Sequence, residues 1–277
     1  MTDEFDILPH THGYTSTIYI LAPTPSSPTP RICKSFNSSC IATHFPVELE
    51  AYTRFSAAAA AASTNPNIPI FYGVHPTLPA GLVLSRAGNR DIYDYLWQQR
   101  HMEQPPPEKG LLHRWCQQAA AALEFAHGLG VLNSDIHPVN LFLDDGLDLL
   151  VGDWAGASID GGISHSTYRL KYRLYSEDGK DVVEKEGISA KSEIFALGST
   201  MWYIIAGKEI WDELTEPSDE REIRRRLAGK EFPNTSGLAV LGNVVMKCWR
   251  AEFREMKEVR RAIEVERDSW TVEQDSF

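Results

Sequence analysis

Cysteine is scarce in this sequence of 277 residues. The four cysteines lie far apart, and no pair of them has the short spacing that structural zinc sites use. A small secreted domain stabilised by disulfides would have more cysteines at closer spacing. We therefore expect reduced thiols in an intracellular protein. The cysteines are Cys33, Cys40, Cys116 and Cys248.

Positive charge is also in deficit. The chain has 27 Lys and Arg residues against 38 Asp and Glu, which gives a formal net charge of −11. Proteins that bind nucleic acid over a broad surface are usually basic, so we expect no nucleic-acid partner. A negatively charged surface attracts basic partners instead, which favours a basic protein substrate if the chain acts on proteins.

Long apolar runs are missing as well. The longest one, 194–207, is too short and too interrupted to span a bilayer, and we expect a buried helix there. The first residues are acidic and have no apolar core of the kind that secretory signals carry. The sequence therefore predicts no membrane span and a cytoplasmic location, and a nuclear location stays open.

The first 90 residues are rich in predicted strands and contain one predicted helix. Strands are expected at 15–21, 31–36, 70–74 and 82–85, and the helix at 45–62. From residue 91 the pattern becomes mainly helical, with two short strands at 141–143 and 149–151. We expect a small sheet-rich lobe over residues 1–85, a connection at 86–90 and a larger helical lobe over residues 91–277.

Three polar side chains in the second half of the chain form a candidate site. Asp135 and Asn140 lie in one predicted loop, and Asp153 follows two short strands that can form a hairpin. The hairpin would return Asp153 to the side of Asn140. Two converging oxygen ligands suit Mg²⁺, which prefers a few protein oxygens together with phosphate oxygens. Asp135 is then free to accept a proton from a hydroxyl group.

Two further charged residues lie upstream of this site. Lys34 is on a predicted strand, and Glu48 is on the helix that follows. A carboxylate can hold a lysine ammonium in place, and the ammonium can offset the charge of phosphate oxygens. The pair therefore predicts a clamp for a nucleotide phosphate.

In their order and spacing, these segments resemble the motifs of the eukaryotic protein kinase family over nearly the whole chain. Residues 31–34 resemble the VAIK strand, 133–140 the HRDxxxxN loop and 153–155 the DFG motif. Residues 191–198 are similar to a long buried helix of that family. The resemblance implies an α+β, bilobal, protein-kinase-like fold with a small β-rich lobe that carries one helix. It also implies that ATP and Mg²⁺ are used.

The resemblance also implies a set of nucleotide contacts. Lys34 and Glu48 would clamp the phosphates, with Asn140 and Asp153 on the metal and Asp135 as the catalytic base. Leu84 would stand at the back of the adenine pocket, and Phe142 would form its floor. The other implied ATP contacts are Gly13, Ile18, Ile32, Ser85, Ala87 and Asp91.

Several positions depart from the family pattern. The glycine-rich loop keeps one glycine, and Asn133-Ser134 stand where the family has His-Arg. Without that arginine there is no obvious partner for a phosphate on the activation segment, so we expect any activity to be independent of such phosphorylation. Glu193 replaces an aspartate, which puts its anchoring of the catalytic loop in question. Residues 175–177 are the best candidate for the APE motif.

Three functions remain open from the sequence. The first is ATP-dependent phosphoryl transfer to a protein Ser or Thr hydroxyl. The second is a small-molecule phosphotransferase, because the DxHxxN and DW patterns at 135–140 and 153–154 also resemble aminoglycoside and choline kinases. The third is a pseudokinase scaffold that binds ATP weakly or not at all. His137 could contact a substrate phosphate or lie solvated in the loop, and the oligomeric state is not indicated.

Overall fold

The computed structural model describes residues 6–12, 15–23, 29–64, 66–78 and 80–274. Gly13 and residues 24–28 of the proline-rich segment between the first predicted strands lie outside the described residues. Among the described helices, none combines the length and the hydrophobicity needed to cross a bilayer.

The first part of the chain forms a five-stranded antiparallel sheet with one helix beside it. The sheet order is β1-β2-β3-β5-β4, so that β1 and β4 form its edges. Helix α1 connects β3 to β4. The elements are β1 (Asp6–His12), β2 (Ser16–Leu21), β3 (Arg31–Phe36), α1 (His44–Ala62), β4 (Phe71–Val74) and β5 (Gly81–Ser85).

Helix α1 has one buried face, and that face carries Glu48. Glu48, Ala51, Tyr52 and Phe55 are its buried residues, at the spacing of one side of a helix. The Phe55 ring packs edge-on against Trp154, with 4.8 Å between ring centroids. Aromatic packing therefore fixes the rotation of α1 and points Glu48 toward the segment around residue 153.

The remainder of the chain is mainly helical, with four short strands. Helix α3 packs against α8, and α5 packs against α7. The elements are α2 (Ile92–His101), α3 (Lys109–Gly128), β6 (Val131–Leu132), β7 (Leu141–Leu143), β8 (Leu149–Val151), β9 (Ser158–Ile159), α4 (Val182–Glu186), α5 (Ala190–Ala206), α6 (Glu220–Ala228), α7 (Gly242–Trp249) and α8 (Met256–Gln274).

Helix α5 is the centre of this helical part. Ser189 caps it, and a reciprocal bond between Ser189 and Ser192 forms a capping box. The helix ends at Gly207, which has the positive φ of 68° that a left-handed C-cap requires. Every residue from 192 to 204 is buried. The apolar run at 194–207 is thus a core helix, as the sequence predicted.

The α+β architecture expected from the sequence is confirmed: a small antiparallel sheet with one helix precedes a larger helical part. The strands β1, β6 and β9 were not predicted. Strand β1 contains Pro9, which sheets tolerate at an edge, and β6 and β9 have only two residues each, too few for a periodic pattern. Strand β5 ends at Ser85 and α2 begins at Ile92, and the division into lobes at 86–90 stays a prediction.

All four cysteines are free, and each is at most 4% exposed. Burial raises the pKa of Cys33 to about 12, and it also raises the pKa of Cys116 and Cys248. A thiol with a raised pKa is a poor nucleophile at neutral pH, so these cysteines are packing residues.

Substitution of Gly198 by Ala should destabilise the protein, because α5 and α7 approach most closely there. A Cβ atom on Gly198 would lie 2.7 Å from the Cβ of Cys248. Overpacking of this kind costs about 1–3 kcal/mol, which a urea unfolding curve measures. The matched control is Gly128→Ala at the end of α3, where nothing lies within 4 Å of the new Cβ. We expect that control to retain or gain stability, and equal losses in both variants would contradict the packing argument.

Candidate active site

Lys34 lies at the centre of the candidate site. It is on β3 between β2 and β5, in register with Ile18 and Leu82. Its ammonium donates to Asp153 Oδ1 at 2.6 Å and forms an ion pair with Glu48 Oε2 at 2.7 Å. The sequence argument required Lys34 and Asp153 to meet in space although they are 119 positions apart, and the structure brings them together.

The ammonium stays charged in this setting. Burial opposes the charge on Lys34, but the Asp153 and Glu48 carboxylates outweigh that effect, so the pKa of Lys34 lies above its usual value. Burial also works against ionisation of Asp153, yet Lys34 holds the pKa of Asp153 below its usual value. One ammonium faces two carboxylates, which leaves a net negative charge when all three groups are ionised. That balance suits the binding of an additional cation.

Helix α1 is attached to the segment after β8 by two contacts from one side chain. Besides the ion pair with Lys34, Glu48 accepts a hydrogen bond at Oε1 from the backbone N–H of Trp154, at 3.1 Å. Asp153 itself has a φ of 52°, in the left-handed region. The positive φ and the Trp154 contact together orient the Asp153 carboxylate toward Lys34.

The hairpin of β7 and β8 returns the chain to the catalytic loop, as predicted. The Gly152 N–H donates to the Asn140 carbonyl at 3.0 Å. The Asn140 side-chain amide donates from Nδ2 to the Asp135 carbonyl at 2.9 Å and to Asp135 Oδ2 at 3.1 Å. These two bonds orient the amide so that its Oδ1 atom is left as an acceptor.

The donor groups at this point fit Mg²⁺. Asn140 Oδ1 and the Asp153 carboxylate are oxygen ligands of the type that Mg²⁺ prefers. The Asp153 side chain is 37% exposed, so a ligand can reach it from the cleft, whereas Lys34 and Glu48 are enclosed at 7% and 0%. An exposed carboxylate beside a buried ammonium is an arrangement that can bind a metal–phosphate complex.

Asn133 connects the two halves of the site, a contact that sequence reasoning missed. Its Oδ1 atom accepts the Asp135 N–H at 3.1 Å, and its Nδ2 atom donates to the Gly152 and Asp153 carbonyls at 3.3 and 3.2 Å. Asn133 is 1% exposed. The sequence does contain an indication of this contact: an asparagine stands where the motif has a histidine, and its amide can both donate and accept hydrogen bonds.

Glu193 anchors the catalytic loop despite its extra methylene group. Glu193 Oε1 accepts the Ser134 N–H at 2.7 Å, and Oε2 lies 2.6 Å from His127 Nε2 at the end of α3. The side chain is fully buried. The extra methylene of Glu193 therefore does not prevent it from anchoring the loop, because the longer side chain reaches both Ser134 and His127.

The implied adenine contacts are distributed around the connection between β5 and α2. Leu84 is 4% exposed and in register with Ile32. Asp91 caps α2 by accepting the Asp94 N–H at 2.8 Å, and it forms a β-bridge with Phe142. Ile18 is in register with Lys34 on the neighbouring strand, and Gly13 lies outside the described residues. The contacts of these residues with a nucleotide stay a prediction.

Two groups of Ser85 are already paired within the sheet region. Its backbone N–H donates to the Ile70 carbonyl at 2.9 Å, and its hydroxyl accepts the Ile70 N–H at 2.9 Å. A contact of the Ser85 backbone with adenine would therefore use its carbonyl oxygen, and it stays a prediction. Ala87, two residues on, is half-buried, and its backbone contact stays a prediction as well.

Gly152 lets the Phe142 ring lie against the backbone that precedes Asp153. A Cβ atom at residue 152 would lie 2.6 Å from Phe142 Cε2. The ring and the predicted metal ligand are thus adjacent because residue 152 has no side chain.

The activation segment, residues 153–177, is held by Lys171 and not by the motif proposed from the sequence. The Glu177 side chain is 95% exposed, and the nearest lysine nitrogen is 3.9 Å away. The buried Lys171 ammonium instead contacts Glu209 Oε2 at 3.0 Å and two backbone carbonyls, Trp211 O and Leu214 O, at 3.2 and 2.9 Å. Sequence reasoning missed Lys171 because its carboxylate partner is 38 positions away.

Arg54 of α1 holds the other end of that segment. Its guanidinium donates to both carboxylate oxygens of Asp160, at 3.0 and 2.7 Å, and to the Leu129 carbonyl at 3.0 Å. The Ser134 hydroxyl, at the motif position of the missing arginine, donates to the Gly156 carbonyl at 2.9 Å. The segment after Asp153 is therefore held by unmodified side chains, without a contact from an added phosphate group.

Comparison with known proteins agrees with this geometry at a coarse level. The similarity is to protein kinases. The chain is 22% identical over 207 residues to the serine/threonine-protein kinase mos of Xenopus laevis, covering 68% of this chain and 55% of that protein. It is 34% identical over 100 residues to the CBL-interacting protein kinase 30 of Oryza sativa subsp. japonica, covering 34% and 20%.

A third relative gives the same result. The CBL-interacting serine/threonine-protein kinase 7 of Arabidopsis thaliana is 26% identical over 114 residues, covering 41% of this chain and 27% of that protein. The chain thus spans from about a fifth to about half of the length of these relatives. No protein-family model matches the chain. These findings support a protein kinase family and a kinase-like enzyme.

Removal of the Glu193 carboxylate should destabilise the protein. Glu193→Ala leaves the buried Ser134 N–H and His127 without their partner, which should lower the free energy of unfolding by about 2–5 kcal/mol in chemical denaturation. Glu193→Gln keeps an acceptor for Ser134, so we expect a smaller loss. Glu252→Ala, at a half-exposed position, is the control and should change stability by less than about 0.5 kcal/mol. If the Ala variant at 193 behaved like that control, Glu193 would not anchor the loop.

Proposed function

We propose that this protein transfers the terminal phosphoryl group of ATP to a Ser or Thr hydroxyl of a protein. The observation that carries the proposal is the position of the Lys34 ammonium, 2.7 Å from Glu48 and 2.6 Å from Asp153. Phosphoryl transfer depends mainly on positioning and on neutralising charge, and this arrangement supplies both. The similarity to serine/threonine protein kinases supports the same reaction.

Each charged group then has one task. Lys34 binds phosphate oxygens of the nucleotide, and Glu48 keeps its ammonium in position. Asp153 and Asn140 hold Mg²⁺ through carboxylate and amide oxygens. When bound, Mg²⁺–ATP supplies the phosphoryl group and the cation offsets its negative charge. Asp135 orients the acceptor hydroxyl and takes its proton as the new oxygen–phosphorus bond forms and the bond between the terminal phosphorus and the leaving ADP breaks.

The proposed adenine pocket lies between the sheet and the β7–β8 hairpin. The apolar contacts are Ile18 and Ile32 from the sheet, Leu84 at its back and Phe142 below. Ser85 and Ala87 would offer backbone, and Asp91 would approach the ribose. For Gly13, which lies outside the described residues, the resemblance implies a place beside the phosphates. The register of Ile32 with Leu84 and the bridge between Asp91 and Phe142 support this grouping.

A groove beside the catalytic loop supports a protein acceptor. It has a volume of about 480 Å³ and is lined by residues 169–173 and by side chains from the α5–α6 connection and α6. Tyr172 in its wall packs edge-on against the His137 ring, with 6.3 Å between centroids. Charges of both signs line the groove, while the net charge of −11 favours a basic protein substrate. Rates on matched acidic and basic peptides test that preference.

A small-molecule phosphotransferase is the second candidate. The observation that favours it is His137 within the DxHxxN pattern, in contact with Asp135 at 3.3 Å. Assays with aminoglycosides and choline beside peptide acceptors separate it from a protein kinase.

Substitution of Asp135 by Asn should reduce phosphoryl transfer about 10²- to 10⁴-fold, because the acceptor hydroxyl loses its base. Transfer of labelled phosphate from ATP to protein and peptide acceptors measures this change. Asp212→Asn at an exposed position is the matched control and should retain the full rate. Equal signals from the Asp135 variant and the unaltered protein would instead favour a scaffold without catalysis.

Activity should not require phosphorylation of the predicted activation segment, because the segment after Asp153 is already held by the pairing of β9 with β6, by the bond from Ser134 to Gly156 and by the Arg54–Asp160 pair. Phosphatase treatment should leave the rate unchanged, and so should Thr167→Ala, which removes an exposed hydroxyl. Ser164 is unsuitable for this test, since its hydroxyl donates to the Gly156 and Ser166 carbonyls at 2.8 Å each. Asp160→Asn should slow the reaction. Loss of turnover after phosphatase treatment of the folded protein, or in a folded Ser166→Ala or Thr167→Ala variant, would contradict the expectation.

A further inference from the structure

His137 has no role in the proposed reaction so far, although it lies two residues after Asp135. Its side chain is 3% exposed, so the solvated-loop interpretation from the sequence is wrong. The ring packs against Tyr172. His137 also caps the start of the 3-10 turn Pro138–Asn140. A buried, packed imidazole beside a carboxylate has a defined orientation.

The hydrogen bonding of the turn determines which ring nitrogen carries the proton. His137 Nδ1 accepts the Val139 N–H at 3.3 Å. An accepting nitrogen has a lone pair and no hydrogen, so in the neutral ring the hydrogen is on Nε2. The N–H of Nε2 is then available to a second partner.

The Asp135 carboxylate is the group beside Nε2. His137 Nε2 lies 3.3 Å from Asp135 Oδ1, a contact that is not yet a hydrogen bond. Catalytic hydrogen bonds are often long before substrate binds, and a small rotation of the carboxylate shortens this one. The other oxygen, Oδ2, already accepts from Asn140 at 3.1 Å. Asp135 therefore has one polar neighbour for each oxygen.

We propose that His137 is a positioning residue that orients Asp135 through its Nε2–H group. This inference rests on the proposed function. Where the protein kinase pattern has a lysine, which would present an ammonium to a phosphate, this chain has an imidazole whose Nε2 atom lies 3.3 Å from the predicted base. The ring turns the Asp135 carboxylate toward the acceptor and leaves phosphate binding to Lys34.

Two variants separate this role from the capping of the 3-10 turn. His137→Asn keeps a cap, because asparagine can also accept the Val139 N–H, but its side chain is too short to reach Asp135. His137→Gln has an amide donor with one more methylene and can reach it. We expect kcat to fall about 10- to 100-fold in the Asn variant, with an unchanged KM for ATP. Both variants lose the packed ring, so we expect both to lose thermal stability. The Gln variant should recover most of the lost kcat.

Equal rates in the Asn and Gln variants would overturn the proposal, since the donor would then be irrelevant. A raised KM for ATP with unchanged kcat would overturn it too, in favour of a phosphate contact.

A readout independent of turnover keeps the test valid if the protein proves inactive. Nitrogen-15 spectra of labelled histidine should show the Nε2–H tautomer for His137, and Asp135→Ala should shift its signal. An Nδ1–H tautomer, or no shift, would contradict the proposal whatever the activity.

Discussion

The candidate site depends on one ammonium group that is shared by two carboxylates from distant parts of the chain. Lys34 comes from the sheet, Glu48 from α1 and Asp153 from the segment after β8. Because a buried ammonium is unfavourable without partners, the sheet, the helix and this segment have to be in place together. The aromatic packing of Phe55 on Trp154 supports the same arrangement through apolar contact.

A second layer of polar contacts supports the site at positions where the protein kinase motifs have other residues. Asn133 connects Asp135 to the carbonyls of Gly152 and Asp153, and Glu193 on the core helix α5 accepts the Ser134 N–H. Asn133 is an amide where the motif has a histidine, and Glu193 is one methylene longer than the aspartate of the pattern. Both side chains are buried and have their hydrogen-bonding groups paired.

The sequence predicted the architecture and the convergence of Lys34, Glu48 and Asp153, because each of these residues lies in a local motif of a recognisable element. Residues 31–36, for example, were predicted and found as a strand. Arg54, Lys171 and the Ser85 amide could not be predicted in the same way. Their partners are Asp160, Glu209 and Ile70, and a local pattern contains no information on which distant group completes a contact. The two-residue strands were missed for lack of periodicity.

The three oxygen partners of Lys171 have a consequence for how this part of the molecule can move. Lys171 is 5% exposed, and its ammonium would lose its contacts with residues 209, 211 and 214 if it were withdrawn. These contacts connect residues 169–172 to the α5–α6 connection, so we expect the two segments to move together. A groove lined by both segments would then keep its width and be pre-organised before any acceptor arrives.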